Sequence, residues 1–232
     1  MPKKIPPLNK THTLIISDIH LGSSVSRSKA VYKFLENFKF KKLILLGDIF
    51  ESLNFNGLEK DDWKFLSLLS EFSKHKKIRW IEGNHDVGLT KIFGAFTGAK
   101  IYKSYKWHYN NKKYLAIHGH QFDNFLINNM VLSFLINKLY NFIQLIDFKD
   151  KRISRFIKNK SKGWLRLSKK VAHRAILYAK LRNVQTIFCG HTHKALYIKK
   201  RDVSYYNSGC WTDVPSTYIT IDKDGAKIHK YF

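Results

Sequence analysis

The strongest constraint on the fold is a set of short apolar runs, each followed by or ending in a polar residue. Each run is four or five residues long and rich in Ile, Leu or aromatic residues, which is typical of a buried strand. The runs are Thr13–Ser17, Lys42–Leu46, Ile78–Glu82, Tyr114–Ile117 and Thr186–Cys189. Helical patterns lie between the first of them, at Ser28–Phe38 and Asp61–Ser73, where apolar residues recur three and four positions apart.

The last part of the chain follows a different pattern, with strands alone. The predicted strands are Ala195–Lys200, Val203–Asn207, Ser216–Ile221 and Ala226–Tyr231. Asp222–Gly225 has the composition of a hairpin turn between the last two. Alternating strands and helices, followed by strands alone, predict two packed sheets with helices outside, in the α/β (α+β) class. No repeat or Gly/Ser-rich linker divides the chain, so we expect one domain.

Residues 124–182 stand apart, and we expect a helical insertion there. From Asn124 to Gln144 the polar residues form one narrow stripe on a helix whose remaining surface is apolar. From Lys149 to Arg182 there are thirteen Lys or Arg residues and one acid, Asp150. An apolar helix followed by a basic helical segment is suited to form a cap over an active site.

The net charge of the chain is unusually high. There are 42 Lys and Arg residues against 17 Asp and Glu, a formal charge of +25. Such an excess costs stability through self-repulsion unless something anionic binds to it. Nucleic acid, an anionic membrane surface or a phosphorylated substrate would each serve, and a merely solvated Lys-rich surface is the alternative.

The remaining composition bears on location. Cys189 and Cys210 form no CxxC pair, which suits a reducing compartment. The first ten residues have no apolar stretch behind their lysines, and no apolar run approaches twenty residues, so we expect neither a signal peptide nor a membrane span. We expect a cytoplasmic protein, either free or peripheral on the inner face of the cell membrane. The sequence does not indicate an oligomeric state.

Five polar motifs follow the predicted strands in order. They are Asp18-Ile19-His20, Gly47-Asp48-Ile49-Phe50-Glu51, Gly83-Asn84-His85-Asp86, His118-Gly119-His120 and Gly190-His191-Thr192-His193. Carboxylate oxygens and imidazole nitrogens together suit Mn, Fe, Zn or Co. An Asp-x-His pair would point both side chains the same way on a strand, and in a loop the adjacent glycines would let the backbone bend. Each motif is weak alone, but the ordered set predicts a metal site at the carboxyl ends of parallel strands.

This ordered set resembles the calcineurin-like metallophosphoesterase superfamily, over Asp18 to His193. The resemblance implies a four-layer sandwich of two mixed sheets flanked by helices, with two divalent metals at one edge, for which we expect manganese first and Fe, Zn or Co as alternatives. It further implies one metal held by Asp18, His20, Asp48 and His193. Asp48 would bridge to a second metal, held also by Asn84, His118 and His191.

The resemblance implies hydrolysis of a phosphoester. Two cations a few Å apart lower the pKa of a bridging water, and the resulting hydroxide attacks phosphorus in line with the leaving group. His85 is the expected catalytic residue, which stabilises the transition state or protonates the leaving oxygen, with Asp86 fixing its orientation. Glu51 and His120 are expected to hold ligands in place without being ligands themselves.

Within the superfamily, the chain is most similar to the UDP-2,3-diacylglucosamine hydrolase family. The similarity lies in Gly47–Glu51, the insertion between His118 and His191, the Gly-His-Thr-His motif with its strand-rich tail, and Gly209-Cys210-Trp211. It implies cleavage of a lipid-linked UDP pyrophosphate to UMP and a lipid 1-phosphate, in lipid A synthesis, with acyl chains held by the cap. Basic residues of the insertion would then bind substrate or lipid phosphates. The predicted phosphate-binding residues are Arg152, Arg155, Lys158, Lys160, Lys162 and Arg166.

Two residues depart from the best-known branch of that family, which has Arg where His85 stands and His-Gly-Asp where His118-Gly119-His120 stands. The chain is therefore also compatible with a second branch of the family that acts on a different substrate.

A nuclease or nucleotide phosphodiesterase on the same scaffold is the first alternative, although aromatic residues are scarce among the charges of residues 149–162, where Phe156 is the exception. A non-catalytic interaction module is the second alternative, but such a protein should lack ligands, and none is missing here.

Overall fold

The computed structural model describes residues 10–52, 55–88, 90–123 and 162–232, with side chains from Leu165 onwards in the last range. The strands are β1 Lys10–Ile16, β2 Lys39–Leu46, β3 Lys77–Ile81, β4 Lys100–Tyr102, β5 Tyr105–Tyr109, β6 Lys112–Ala116, β7 Thr186–Cys189, β8 Leu196–Lys200, β9 Val203–Asn207, β10 Ser216–Asp222 and β11 Gly225–Tyr231. The described helices are α1 Ser28–Glu36, α2 Lys60–Ser73, α3 Thr90–Thr97 and α4 Lys162–Leu181.

The strands form two mixed sheets. The first has the order β11-β10-β1-β2-β3-β4, in which β1 to β4 are parallel, β10 pairs antiparallel with β1, and β11 pairs antiparallel with β10. The second has the order β5-β6-β7-β9-β8, with β6, β7 and β9 parallel and an antiparallel strand at each edge. Every strand run identified from the sequence is present, and the predicted hairpin turn joins β10 to β11 through the Asp222–Gly225 pair.

Apolar residues bury themselves in three clusters that define four layers. One cluster, which includes Ile15, Ile44 and Phe188, lies between the two sheets. A second cluster joins the outer face of the first sheet to α1, α2 and α3. The third joins the second sheet to α4. The order helix, sheet, sheet, helix confirms the predicted fold class.

The described part of the predicted insertion is a layer of the domain. Helix α4 is buried along one face, where Val171, Ala175 and Ala179 pack against the second sheet. The small alanine side chains let the helix backbone approach the sheet closely, so this helix belongs to the core. The predicted apolar helix and the cap itself, residues 124–161, lie outside the described residues.

Three elements were not recognised in the sequence, namely β4, β5 and α3. Strand β4 has only three residues, which is too short for an alternation to show. Strand β5 has aromatic and charged residues interleaved in YKWHY, and only Trp107 is buried. No described helix combines the length and apolar character that a membrane-spanning helix requires.

Candidate metal centre

The predicted ligands follow the carboxyl ends of neighbouring parallel strands. Asp18 and His20 follow β1, and Asp48 follows β2. Backbone hydrogen bonds hold these two loops side by side, since the Asp18 N–H donates to the Gly47 carbonyl (3.0 Å) and the His20 N–H donates to the Asp48 carbonyl (3.1 Å). The ligands therefore lie in loops just beyond the strands.

Five of the seven predicted ligands have a left-handed backbone, a conformation that non-glycine residues rarely adopt. Their φ values lie between 51° and 66°, at Asp18, His20, Asp48, His191 and His193. The bend is what turns successive side chains toward one point. Backbone strain of this kind concentrates at functional sites, where the surrounding structure holds it in place.

Glycines make room for the ligands. A Cβ on Gly47, whose φ is +82°, would collide with the His118 ring. A Cβ on Gly83 would collide with the backbone nitrogen and side chain of Asp48. Both glycines are therefore required by close approach to ligands, and Gly47 is required by its backbone conformation as well.

The first cluster consists of Asp18, His20 and His193, whose ligand atoms all lie within 4.8 Å of one another. The Nε2 atoms of His20 and His193 face each other at 3.2 Å, and Asp18 Oδ1 lies 3.2 Å from His193 Nε2. Since His20 Nδ1 bonds to Glu51 Oε2 at 2.8 Å, its Nε2 is the nitrogen with a free lone pair. Two imidazole nitrogens and a carboxylate oxygen thus converge.

The second cluster consists of Asp48, His118 and His191, with the same mutual spacing. His118 Nδ1 donates to the Leu46 carbonyl at 2.8 Å, which leaves its Nε2 facing Asp48 Oδ2 at 3.1 Å. Asn84 comes to this cluster through its neighbour, because the His85 backbone N–H donates to Asp48 Oδ1 at 2.9 Å.

The charges of the two clusters are those that a cation site requires. Burial opposes ionisation of Asp48, but the imidazole of His118 outweighs it and holds the pKa of Asp48 well below its ordinary value. The pKa of Asp18 is lowered in the same way, against its burial, by His193. Burial opposes protonation of His118, yet Asp48 raises its pKa to about 10. Both carboxylates are therefore anionic at neutral pH.

Several buried polar atoms fit a bound metal. Within the described residues, Asn84 Oδ1 and His118 Nε2 are buried without a hydrogen-bond partner. Asp48 Oδ2 lies 3.1 Å from His118 Nε2 but does not form a hydrogen bond with it. An orphaned buried polar atom is costly in a protein interior. Divalent cations of the Mn, Fe, Zn and Co group accept this set of oxygen and nitrogen donors.

His85 lies next to the first cluster, as predicted for a catalytic residue. Its ring packs edge-on to His20 with centroids 5.1 Å apart, and its Nδ1 donates to the Glu51 carbonyl at 2.7 Å. This bond leaves Nε2 to hold or release a proton. The prediction that Asp86 orients His85 is wrong, because the Glu51 carbonyl does so.

Asp86 instead holds the loop that carries Asp48. Its fully buried carboxylate accepts hydrogen bonds from the backbone N–H groups of Ile49 and Phe50, both at 3.0 Å, and from Gly83 at 3.2 Å. Burial, with help from the nearby Asp48 charge, raises its pKa to about 6. Asp86 therefore ties together the backbones of the second and third motifs.

Two carboxylates support histidines of the site. Glu51 bonds to His20, as expected for a residue that holds a ligand, and it also groups with His20 and His85 at metal-ligand spacing. Asp123 was not identified from the sequence. It is buried, and its Oδ2 lies 3.2 Å from His191 Nε2, which leaves Nδ1 as the lone-pair nitrogen of that histidine.

The position of Asp123 depends on a short helical turn at His120–Phe122, where the Asp123 N–H donates to the His120 carbonyl. The only indication of Asp123 in the sequence was its place three residues after His118-Gly119-His120.

His120 packs its ring 5.5 Å from that of His118. Burial lowers the pKa of His120 to about 3, and the charges of His118 and His191 lower it further. Its predicted supporting role stays a prediction.

A second set of unrecognised residues supports the last motif. Asn207 donates through Nδ2 to the Gly190 carbonyl (2.5 Å) and to Thr192 Oγ1 (3.1 Å). Ser17 donates to Asp18 Oδ2 and lies 2.6 Å from Ser208 Oγ. These polar residues come from strands far apart in the sequence, so periodicity could not find them.

Of the predicted phosphate-binding residues, Arg166 has a described side chain and the others do not. Arg166 is exposed near the beginning of α4. The side chain of Lys162 is not described, and Arg152, Arg155, Lys158 and Lys160 lie outside the described residues. Their role stays a prediction.

Comparisons with known proteins identify the family and support the fold. Residues 11–195 match the family profile described as calcineurin-like phosphoesterase. Among solved structures, an archaeal phosphodiesterase is 13% identical with a TM-score of 0.51, covering 94% of this chain and 98% of the other. Yfce, a phosphoesterase from E. coli, is 15% identical with a TM-score of 0.50, covering 91% and 88%. Vps29 from Chaetomium thermophilum is 11% identical with a TM-score of 0.49, covering 94% and 95%. No curated protein sequence matches the chain. At these identities the structural likeness concerns the fold.

Proposed function

Because the chain belongs to the calcineurin-like phosphoesterase family, it is a phosphoester hydrolase, and we propose that it works with two divalent metal ions. The observation that carries this proposal is the convergence of two anionic carboxylates and four histidines in two adjacent clusters. The proposed ligands are Asp18, His20, Asp48, Asn84, His118, His191 and His193. We propose manganese as the metal, on the likeness of the motifs.

The metals, when bound, supply Lewis acidity and a water of lowered pKa. The residues of the chain perform the remaining tasks. Glu51 and Asp123 fix the ring nitrogens that His20 and His191 present to the site. His85, with Nδ1 committed to the Glu51 carbonyl, has Nε2 available to stabilise a phosphoryl oxygen or to deliver a proton to the leaving oxygen.

For the substrate we propose a lipid-linked UDP pyrophosphate of the UDP-diacylglucosamine type, cleaved to UMP and a lipid 1-phosphate. Its support is the similarity of the motifs to that family, together with an apolar surface that begins two residues after His85. Val87, Ile92 and Phe96 are 62%, 66% and 53% exposed, which suits a substrate with an acyl portion. A location at the inner face of the membrane follows as part of the same proposal.

The test is incubation of the purified protein and Mn²⁺ with UDP-diacylglucosamine, with UMP release as the readout. We expect UMP from the wild type and none from Asp48→Asn. A generic phosphodiester, bis(p-nitrophenyl) phosphate, and single-stranded RNA serve as parallel substrates. Hydrolysis of the generic diester without UMP release would overturn the proposed lipid substrate but not the hydrolase activity, and RNA cleavage would favour the nuclease alternative. Tight metal binding without turnover of any of the three substrates would overturn the assignment as an enzyme.

A further inference from the structure

A row of basic residues crosses the amino ends of four neighbouring strands, at the opposite end from the metal centre. Lys10 lies beside Lys39 in the pairing of β1 with β2, Lys42 lies beside Lys77 in the pairing of β2 with β3, and Arg79 lies beside Lys100 in the pairing of β3 with β4. We call this row, with Lys41, the basic edge. Its members are Lys10, Lys39, Lys41, Lys42, Lys77, Arg79 and Lys100.

Like charges on adjacent strands repel, because neighbouring strands lie only about 4.8 Å apart. In the described part of the chain, no member of the basic edge forms an ion pair. The ion pair that a lysine does form there, between Lys64 and Asp61, lies on α2. The nearest acids act on other groups: Asp222 accepts hydrogen bonds from Thr11 and His12, and Glu71 raises the pKa of Lys76. The edge is therefore strongly positive and uncompensated.

Two pKa shifts reflect the charge of this edge. Burial lowers the pKa of Lys42, which is 7% exposed; the neighbouring Tyr105 raises it, and the charges of Arg79 and Lys77 lower it further. The pKa of His12 is lowered by burial and by Lys42, Lys41 and Lys77, while Asp222 acts in the opposite direction. A partner that brings negative charge would relieve this repulsion.

Partly exposed aromatic rings lie among these cations. The rings of Tyr102 and Tyr105 pack 4.8 Å apart, and the Arg79 guanidinium lies 6.0 and 5.7 Å from their centroids. His12 stacks on Tyr109 with centroids 3.8 Å apart. Cations interleaved with aromatic rings are the combination that binds single-stranded nucleic acid, through phosphates and stacked bases respectively. The basic stretch at residues 149–162, by contrast, has one aromatic residue among its charges, Phe156.

We propose that the basic edge binds the phosphate backbone of a single-stranded nucleic acid, with the partly exposed Tyr102 ring offering a stacking surface. A bilayer is the less suitable partner, because none of the exposed large apolar side chains of the described residues lies on β1 to β4, the strands that carry this edge. The site is separate from the chemistry, since about 30 Å of strand separates Lys39 from Asp48 on β2. It does not depend on the identity of the substrate.

The test is fluorescence anisotropy of a short labelled oligouridine at two salt concentrations. A gel run after the measurement checks that the oligouridine has not been cleaved. We expect the triple variant Lys41→Gln, Lys77→Gln, Lys100→Gln to bind about tenfold more weakly than the wild type, and its salt dependence to fall by about two units of log–log slope. The matched control is Lys29→Gln, Lys33→Gln, Lys199→Gln, which removes the same charge from exposed positions on α1 and β8.

Equal losses in the two variants would reduce the effect to overall charge and overturn the proposal, as would an absence of binding by the wild type. Binding of phosphatidylglycerol vesicles through the same lysines, without RNA binding, would overturn the nucleic-acid assignment. Should the triple variant fail to fold, crosslinking of the wild type to 4-thiouridine-labelled RNA decides the matter. Crosslinked peptides from β3 to β5 support the proposal, and peptides confined to other regions contradict it.

Discussion

At the scale of single residues, the site depends on strained backbone that the surrounding structure stabilises. Each left-handed residue among the ligands costs about 1 kcal/mol or more relative to an ordinary conformation. Hydrogen bonds between loops offset this cost, as in the donation from Ile19 N–H to the Asp48 carbonyl at 3.0 Å. Carboxylates then fix the rings. The ligands are thus positioned by residues that would never touch a substrate.

Asp123 offers a test of this positioning. The Asp123→Asn substitution removes the charge that faces His191 Nε2, so we expect the affinity for Mn²⁺ to fall about 10-fold or more, as for other supporting carboxylates of metal sites. Isothermal titration with Mn²⁺ measures this without reference to turnover. Asp202→Asn, at an exposed acid next to β9, is the control. An unchanged affinity in Asp123→Asn would show that the contact has no part in metal binding.

His229 gives a prediction on pH. Its pKa lies below the ordinary value of 6.5, through burial and then Lys227, while Asp222 acts in the opposite direction. A histidine with a lowered folded-state pKa costs nothing above pH 6.5 and destabilises the fold as the pH falls through the window below it. We therefore expect the wild type to lose stability on acidification relative to His229→Asn. Urea unfolding at a series of pH values gives the difference, and a constant difference would contradict the prediction.

At the scale of elements, each helix is fixed by one apolar face and by its ends. Helix α4 presents small residues to the second sheet and its exposed lysines, such as Lys169 and Lys180, to solvent. Helix α2 begins with a hydrogen bond from the Glu59 backbone N–H to Asp62 Oδ2 at 2.8 Å, the reciprocal half of a capping box. Asp62 therefore caps the first turn of α2.

The two acids of α2 form a matched pair for mutation. We expect Asp62→Ala to lower the free energy of unfolding by about 1 kcal/mol, because the Glu59 N–H loses its partner. Asp61→Ala removes an equal charge from the same turn but breaks only a surface ion pair with Lys64, so its effect should be a few tenths of a kcal/mol. Chemical denaturation of both variants makes the comparison, and equal losses would mean that the cap contributes nothing beyond charge.

At the scale of the whole molecule, the metal centre exists because two sheets meet at one edge. The first sheet contributes Asp18 and Asp48, and the second contributes His118 and His191. Ion binding should therefore hold the two sheets together. The two carboxylates are buried, at 0% and 2% exposed, so removal of a cation leaves negative charge in the interior without a metal to balance it.

Metal removal should consequently lower thermal stability. We expect the midpoint of thermal unfolding to fall on chelation with EDTA and to rise with Mn²⁺ in proportion to the logarithm of its concentration, because the ion binds the folded state. Differential scanning calorimetry measures both. In Asp48→Asn the dependence on Mn²⁺ should be much reduced. A wild-type midpoint that does not respond to chelator or metal would count against the proposed centre.

The sequence by itself determined nine of the eleven described strands, the two-sheet class and the order of the polar motifs, because apolar periodicity reports burial locally. Only the tertiary structure decided that Asp86 holds a loop while the Glu51 carbonyl orients His85, and that Asp123 returns to His191. It also decided that the lysines at the strand starts stand side by side. These contacts join residues from separate strands and turns, and their geometry depends on how the sheets pack and which backbone conformations that packing can hold, which no local pattern encodes.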